Sequence, residues 1–243
     1  ADEKFKKEIF NSILKQIEHL VKNFSNLKRN SDLIRIIKAL IYVSISIPNK
    51  KYYYQIAIFN LKSELGSQIL KDGCHFQRNP KIHLQVLMDL LDVRSILNST
   101  KKNVFFDLQN AIKNMSVVYH FFLHKDNSLA NFNGTNNVNE KETKNIISEI
   151  PKLLKKPREL SDSGFQRVDK KDTILIIDCG VPKNYHATYK AHSCSTTFEL
   201  SYKKNKIIIN SLSGLDKKIN RKTAAHSTLT LNNTNAYKIL KNE

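Results

Sequence analysis

Apolar residues in the first half of the chain recur every three or four positions. Phe5, Ile9 and Ile13 form one such row, and Leu33, Ile36, Ile37 and Leu40 form another. Leu84, Leu87 and Leu91 follow, and then Phe105, Leu108 and Ile112. This is the period of an amphipathic helix, so the pattern predicts successive helices from residue 3 to about 156. Short polar breaks at "PNKK" (48–51) and "NSTKKN" (98–103) make neighbouring helices antiparallel. "KDGCHFQRNP" (71–80) reads as a loop, with Pro80 in the first turn of the next helix, where its missing N–H leaves no bond unmade. A longer loop, "HKDNSLANFNGTNNVNEKE", covers 124–142.

Beyond "PKLLKKPREL" (151–160) the period shortens towards two. "GFQRVDK" (164–170), "DTILIIDCG" (172–180), "STTFELSY" (195–202), "KIIINSL" (206–212) and "HSTLTLNN" (226–233) read as strands separated by Lys, Asn, Gly and Pro turns, with "KKN" (203–205) as a hairpin turn. The change of period divides the chain into a helical domain, 1–157, and an antiparallel β domain, 158–243, of sandwich type. About five strands are few for a closed two-sheet domain, so the sandwich reads as incomplete.

Composition narrows the class. At 243 residues, 40% of them hydrophobic and 26% charged, the chain belongs with globular rather than disordered or fibrous proteins. No apolar run reaches the roughly 18 residues of a membrane span, because "LIRIIKALIYVSISI" (33–47) is short and carries Arg35 and Lys38. The amphipathic start "ADEKFKKEIFNSIL" shows no signal-peptide pattern. Cys74, Cys179 and Cys194 are widely spaced and form no CxxC pair, which argues against a disulfide framework.

The formal net charge of +18 selects for acidic partners. Its lysines are spread along the whole chain among Ile and Asn, as on a solvated basic surface. No RNP, zinc-finger or helix-turn-helix signature accompanies them, so a dedicated nucleic-acid face is the weaker expectation, and the charge favours an acidic partner, anionic polysaccharide included. One stretch raises a sharper question. "KAHSCSTTFEL" (190–200) opens a strand on His192, which reads either as a metal or catalytic histidine held on a sheet or as a histidine that caps a strand.

Four blocks, taken in order, carry a resemblance. "DGCHFQRNPKIHLQVLMDLLD" (72–92), "GFQRVDKKDTILIIDCGVP" (164–182), "AHSCSTTFEL" (191–200) and "RKTAAHSTLTLNN" (221–233) resemble the heparinase II/III family from roughly residue 50 onward. The resemblance implies an α/α toroid joined to a β-sandwich, and cleavage of uronic-acid polysaccharides, glycosaminoglycans included, by β-elimination. It also implies that so few helices make an incomplete toroid, with further helices expected before Ala1. The compartment it implies is periplasmic, against a cytoplasmic one if residue 1 lies near the natural start.

The chemistry implied sets the demands on the site. A carbon-oxygen lyase of this kind removes the proton on C5 of a uronate, so the neighbouring carboxylate must be neutralised before the resulting enolate is tolerable. A base takes the proton, and an acid, often a tyrosine, protonates the departing glycosidic oxygen. By resemblance His75, after "DGC", is the catalytic donor, and Arg78 replaces a frequently acidic residue with positive charge for the substrate carboxylate. "SLANFNG" (128–134) puts Phe132 where the tyrosine is expected. A phenyl ring stacks on sugar or packs in a core but transfers no proton. Tyr119, on the apolar "VVYHFFL", reads as core.

Aligning "TFEL" with the family's HxHAD-like strand puts His192 on the second, metal-binding histidine, Lys190 on the catalytic histidine, and Cys194 on the aspartate. The remaining ligands of a structural zinc then fall on Asn210 and His226. The implied set is His192 and His226, with a neutral amide in place of carboxylate and Cys194 as a possible thiolate if its side chain shares a face with His192. The alternative is a pair of buried histidines hydrogen-bonded between sheets. His75, Arg78 and Lys190 are expected to face the cleft between the domains, and His192 to lie close to His226. Three function classes follow: a lyase with altered catalytic groups, a non-catalytic anionic-polysaccharide-binding or envelope-associated protein, and a basic nucleic-acid binder.

Overall fold

A computed structural model describes residues 2–27, 29–47, 50–135, 146–153, 155–181, 192–211 and 219–237. Five helices come first: α1 (Glu3–Lys22), α2 (Ser31–Ser46), α3 (Tyr52–Gln68), α4 (Pro80–Ser99) and α5 (Phe106–Phe121). The starts of α2 and α4 have a local cause. The Asn30 side chain accepts the Asp32 and Leu33 N–H groups ahead of α2, and Asn79 caps α4 by accepting from Ile82, with Pro80 at the first helical position. The apolar period then decides what is buried. Leu33, Ile34, Ile37, Leu40 and Ile41 put one face of α2 in the core, while α4 buries residues around most of its circumference, as a central helix must. The α2 helix packs on α3 and α4, and α4 packs on α5. Among the described residues, no helix is long and apolar enough to cross a membrane.

Residues 124–135 form the described part of the expected loop, and between Phe121 and residue 156 the described chain is helical only in one short turn at 146–149, where Ile146 and Ile150 still reach the core.

The second half forms one antiparallel sheet in the order β1-β2-β3-β4-β5. Its strands are β1 (Glu159–Leu160), β2 (Phe165–Lys170), β3 (Thr173–Asp178), β4 (Thr197–Tyr202) and β5 (Asn205–Ile208). Lys203 and Lys204 make the expected turn between β4 and β5, with Lys203 at φ 53°. Register places Phe165 opposite Asp178, Arg167 opposite Ile176, and Ile176 opposite Glu199. These residues share the face that packs on the helices, together with Leu160, Thr197 and Ser201. On the other face Leu175, Ile177, Phe198 and Leu200 are half-buried and Val168 is exposed.

Only this one sheet of the expected sandwich lies among the described residues. The expected strand at 226–233 is absent: the segment runs through turns and bends, and Leu229 and Leu231 are 77% and 69% exposed. Ser227 meets β4 at Phe198 through its hydroxyl, which contacts the Phe198 carbonyl and amide, and through its carbonyl, which accepts the Phe198 N–H at 3.4 Å, but among the described residues the pairing does not continue into a ladder.

Candidate functional site

The DG loop lies where the helices meet the sheet. Asp72 spans the junction with its two carboxylate oxygens. One accepts the Cys74 N–H at 2.9 Å inside the loop, and the other accepts the Ser163 N–H and hydroxyl at 2.7 and 2.8 Å from the sheet side. The loop turns at Gly73, φ +87°, where an added Cβ would sit 2.7 Å from the Asn114 carbonyl oxygen.

His75 follows, and the structure corrects its expected exposure: its relative accessibility is 0%. Its Nδ1 accepts the Gln77 N–H at 3.4 Å, so Nε2 carries the hydrogen and donates to Gln68 Oε1 at 2.9 Å. The His75 backbone N–H donates to His83 Nδ1 at 3.2 Å, which leaves His83 Nε2–H to donate to the Met115 carbonyl at 2.9 Å. Both tautomers are thereby fixed. Burial pushes His75 down to about 3, with help from His83, and burial pushes His83 down to about 4. These are neutral rings that shape the loop.

Arg78, also expected on an open cleft, is 4% exposed. Its guanidinium pairs with Asp178, donates through Nε to the Ser163 carbonyl at 2.7 Å, and lies 5.1 Å from the centroid of the Phe165 ring. Asn133 completes the knot by donating to the Arg78 carbonyl at 3.0 Å and to Asp178 Oδ2 at 2.9 Å. Burial pushes the Asp178 carboxyl up, and the guanidinium, the Asn133 amide and the Gly180 N–H pull it back towards ionisation. The guanidinium passes beside Gly180, where any Cβ would overlap it and the Ser163 carbonyl. A charge neutralised in this way is not presented to a substrate.

Phe132 is 1% exposed and meets Phe165 edge-on, ring centroids 5.4 Å apart. Of its two expected roles, the structure selects core packing over sugar stacking. Tyr119 is fully buried, as expected. Lys190 lies outside the described residues.

A buried acid–base pair was missed by the sequence reading. His124 Nε2–H donates to Glu199 Oε2 at 2.9 Å and its Nδ1 lies 2.9 Å from the Ser201 hydroxyl, while the Asn131 and Asn210 N–H groups donate to Glu199 Oε1 at 3.1 and 3.0 Å. Glu199 is fully buried and His124 2% exposed. The available signal was a glutamate alternating with Phe198 and Leu200 in "TFELSY". It points to the correct strand, but the natural reading turns Phe and Leu inward, whereas here Thr197, Glu199 and Ser201 face the helices.

His192 and His226 do lie together, with ring centroids 4.4 Å apart. His226 Nε2 donates to the Asn220 carbonyl at 2.9 Å, which leaves an Nδ1 lone pair, and neither this Nδ1 nor the buried His192 Nε2 has a hydrogen-bond partner among the described residues. Burial pushes His192 down to about 3, with His226 and Arg221 adding to it. Those two nitrogens suit a metal, and the rest of the set does not. Asn210 Oδ1 takes the Ser227 N–H and hydroxyl at 3.4 and 3.0 Å, its Nδ2 is a donor, and burial pushes the Cys194 thiol up to about 12. Among the described residues no group of three His, Cys, Asp or Glu side chains gathers to hold an ion. Two imidazoles supply half of a tetrahedral zinc's ligands. The described donor set therefore does not fit a closed zinc site.

Comparison with known proteins agrees with this architecture. A curated relative, FtsZ-localized protein C of Caulobacter vibrioides, is 27% identical over 155 residues, covering 63% of this chain and 26% of the relative. Among solved structures, a heparinase III gene product is 19% identical with a TM-score of 0.73, and a heparan sulfate lyase mutant from Pedobacter heparinus is 20% identical with a TM-score of 0.68. Each match covers 95% of this chain and 41% of the other, so the chain spans well under half the length of these relatives and shares their fold over that span. The family model for the heparinase II/III N-terminus matches residues 2–161, and that for the heparinase II/III-like C-terminal region matches 152–243. With both models matched in order along its length, the chain belongs to the heparinase II/III family.

Proposed function

We propose that the chain binds acidic, uronate-containing polysaccharide and turns it over slowly or not at all. Phe132 carries this reading. β-Elimination needs a group to protonate the leaving glycosidic oxygen, and the position matching the family's tyrosine holds a phenyl ring without a hydroxyl, enclosed in the core. The matching donor, His75, has both ring nitrogens committed to Gln77 and Gln68 and stays neutral well below physiological pH. In this reading His75 and Arg78 are positioning residues: the first sets the DG loop and the second fastens it to β3. Kinship with polysaccharide lyases and a net charge of +18 support an acidic sugar chain as ligand.

The test pairs two measurements on the same protein. Titration with sulfated and unsulfated uronate oligosaccharides should give saturable binding that weakens with salt, while the ultraviolet absorbance of unsaturated uronate stays at background. Rapid formation of that product, lost in His75→Ala, would overturn the binding-only reading. Preference for nucleic acid over every uronide would overturn the polysaccharide reading.

A further inference from the structure

A hollow of about 580 Å³ opens between α5 and the segment leading into β1, lined by Val117, Lys155, Lys156, Pro157 and Arg158. It is a shallow depression open to solvent rather than an enclosed cavity, suited to one charged group of a ligand rather than to a whole one. Three of its five lining residues are cations and none is acidic. The nearby cations Arg167 and Lys125 pair with Asp169 and Asp172, whereas Lys155, Lys156 and Arg158 form no ion pair with any described residue.

The backbone that carries these cations is anchored by the fold. The Arg158 carbonyl accepts the Arg167 N–H of β2 at 2.7 Å, and His120 at the end of α5 reaches the Pro151 carbonyl at 3.1 Å. Lys156 Nζ donates to the Leu123 carbonyl at 3.1 Å, which holds the ammonium at the rim of the interior. Pro157 stiffens the backbone between the two flanking cations. Burial, reinforced by Arg167, pushes Lys156 down to about 8. An anion placed in the hollow would relieve that repulsion.

We propose that this hollow is an anion-binding subsite, separate from the DG loop, that takes the sulfate or carboxylate group of an acidic sugar unit. Its assignment to a sugar rests on the polysaccharide reading above. The anion site itself rests on the hollow and its unpaired cations, and free phosphate offers the same charge chemistry.

Amide NMR spectra of the whole chain, followed at Val117 and Arg158, separate these levels. Sulfated uronate oligosaccharide, unsulfated uronate oligosaccharide and inorganic phosphate are titrated in turn, into wild type and into Lys155→Ala/Arg158→Ala, both of whose side chains are exposed. Saturable shifts at both amides are expected with the sulfated oligosaccharide, with affinity about tenfold weaker in the double variant and restored in Lys155→Arg/Arg158→Lys. Oligosaccharide binding that is equal in both proteins, without shifts at these amides, would overturn the subsite and leave the polysaccharide reading standing. Shifts with phosphate but with neither oligosaccharide would keep an anion site and overturn its assignment to sugar. Shifts with none of the three probes would overturn the site altogether.

Discussion

The helical half and its junction with the sheet are held together by opposite means. Inside the helical half the enclosed side chains are mostly aliphatic, with Ile34, Ile37, Ile41, Leu61 and Leu87 all fully buried. At the junction charged and polar side chains are enclosed beside Phe132, Phe165 and Ile176: Arg78 with Asp178, His124 with Glu199, Asp72 with Ser163, and Arg167 with the Phe121 and Leu123 carbonyls. An apolar core tolerates substitution in proportion to the volume removed, but a buried charge pair is strongly sensitive to the loss of either member. The helical half should therefore vary gradually, and the junction abruptly.

The largest effect is expected at the junction. Asp178→Ala leaves the Arg78 guanidinium buried without its partner and should destabilise the chain by about 3–5 kcal/mol, read as a shift of the urea midpoint. Arg78→Met/Asp178→Leu should recover most of that loss, and a double variant as unstable as the single one would break the contrast. Leu87→Ala in α4 should cost about 3 kcal/mol through the cavity it leaves, with no comparable rescue by a second substitution. Phe132→Tyr should cost about 1–3 kcal/mol by burying a hydroxyl beside Phe165, and it should form no unsaturated uronate. Product formation by this variant would show that a tyrosine at this position can reach substrate.

Per unit of pH, the smallest effect concerns acid. His75 sits at about 3 in the folded chain against 6.5 as its ordinary value, so the unfolded chain binds the extra proton between those limits. Stability from this residue is therefore fully present above about pH 6.5 and lost as pH falls towards 3, at no more than about 1.4 kcal/mol per pH unit. His75→Gln should flatten the pH dependence of the urea midpoint over that window. An unchanged slope would mean that the His75 ring is accessible to protons in the folded state.

The sequence discloses these two regions unequally. The helices were legible because rows such as Leu33, Ile37 and Leu40 repeat with the helical period and Pro80 marks a start. The β2–β3 and β4–β5 hairpins were legible from short alternating runs and their lysine-containing turns. The inward face of β4 was not, since alternation in "TFELSY" defines two faces without saying which one meets the helices. "HSTLTLNN" failed for a related reason: alternation makes a strand only where a partner backbone runs alongside, and here the single backbone bond from Phe198 to Ser227 is not continued, the segment turning away instead. At the site, "DGC" located a loop that does lie at the junction, but burial of His75 depends on Gln68 and His83, contributed by two different helices. Lys190 lies outside the described residues, and the pairing of His192 with His226 was legible through the family motif alone.

The carboxylate of Asp72 binds residues two positions and 91 positions away in the chain. The turn at Gly73 and the docking of β1 and β2 onto the helices thus share one side chain, so neither reaches its final form before a long chain closure is complete. The Cys74 and Ser163 amides, remote in sequence, should exchange their hydrogens with solvent through a single opening event and with similar protection. The helical half then cannot finish its own loop without the sheet, which makes the two halves one cooperative unit.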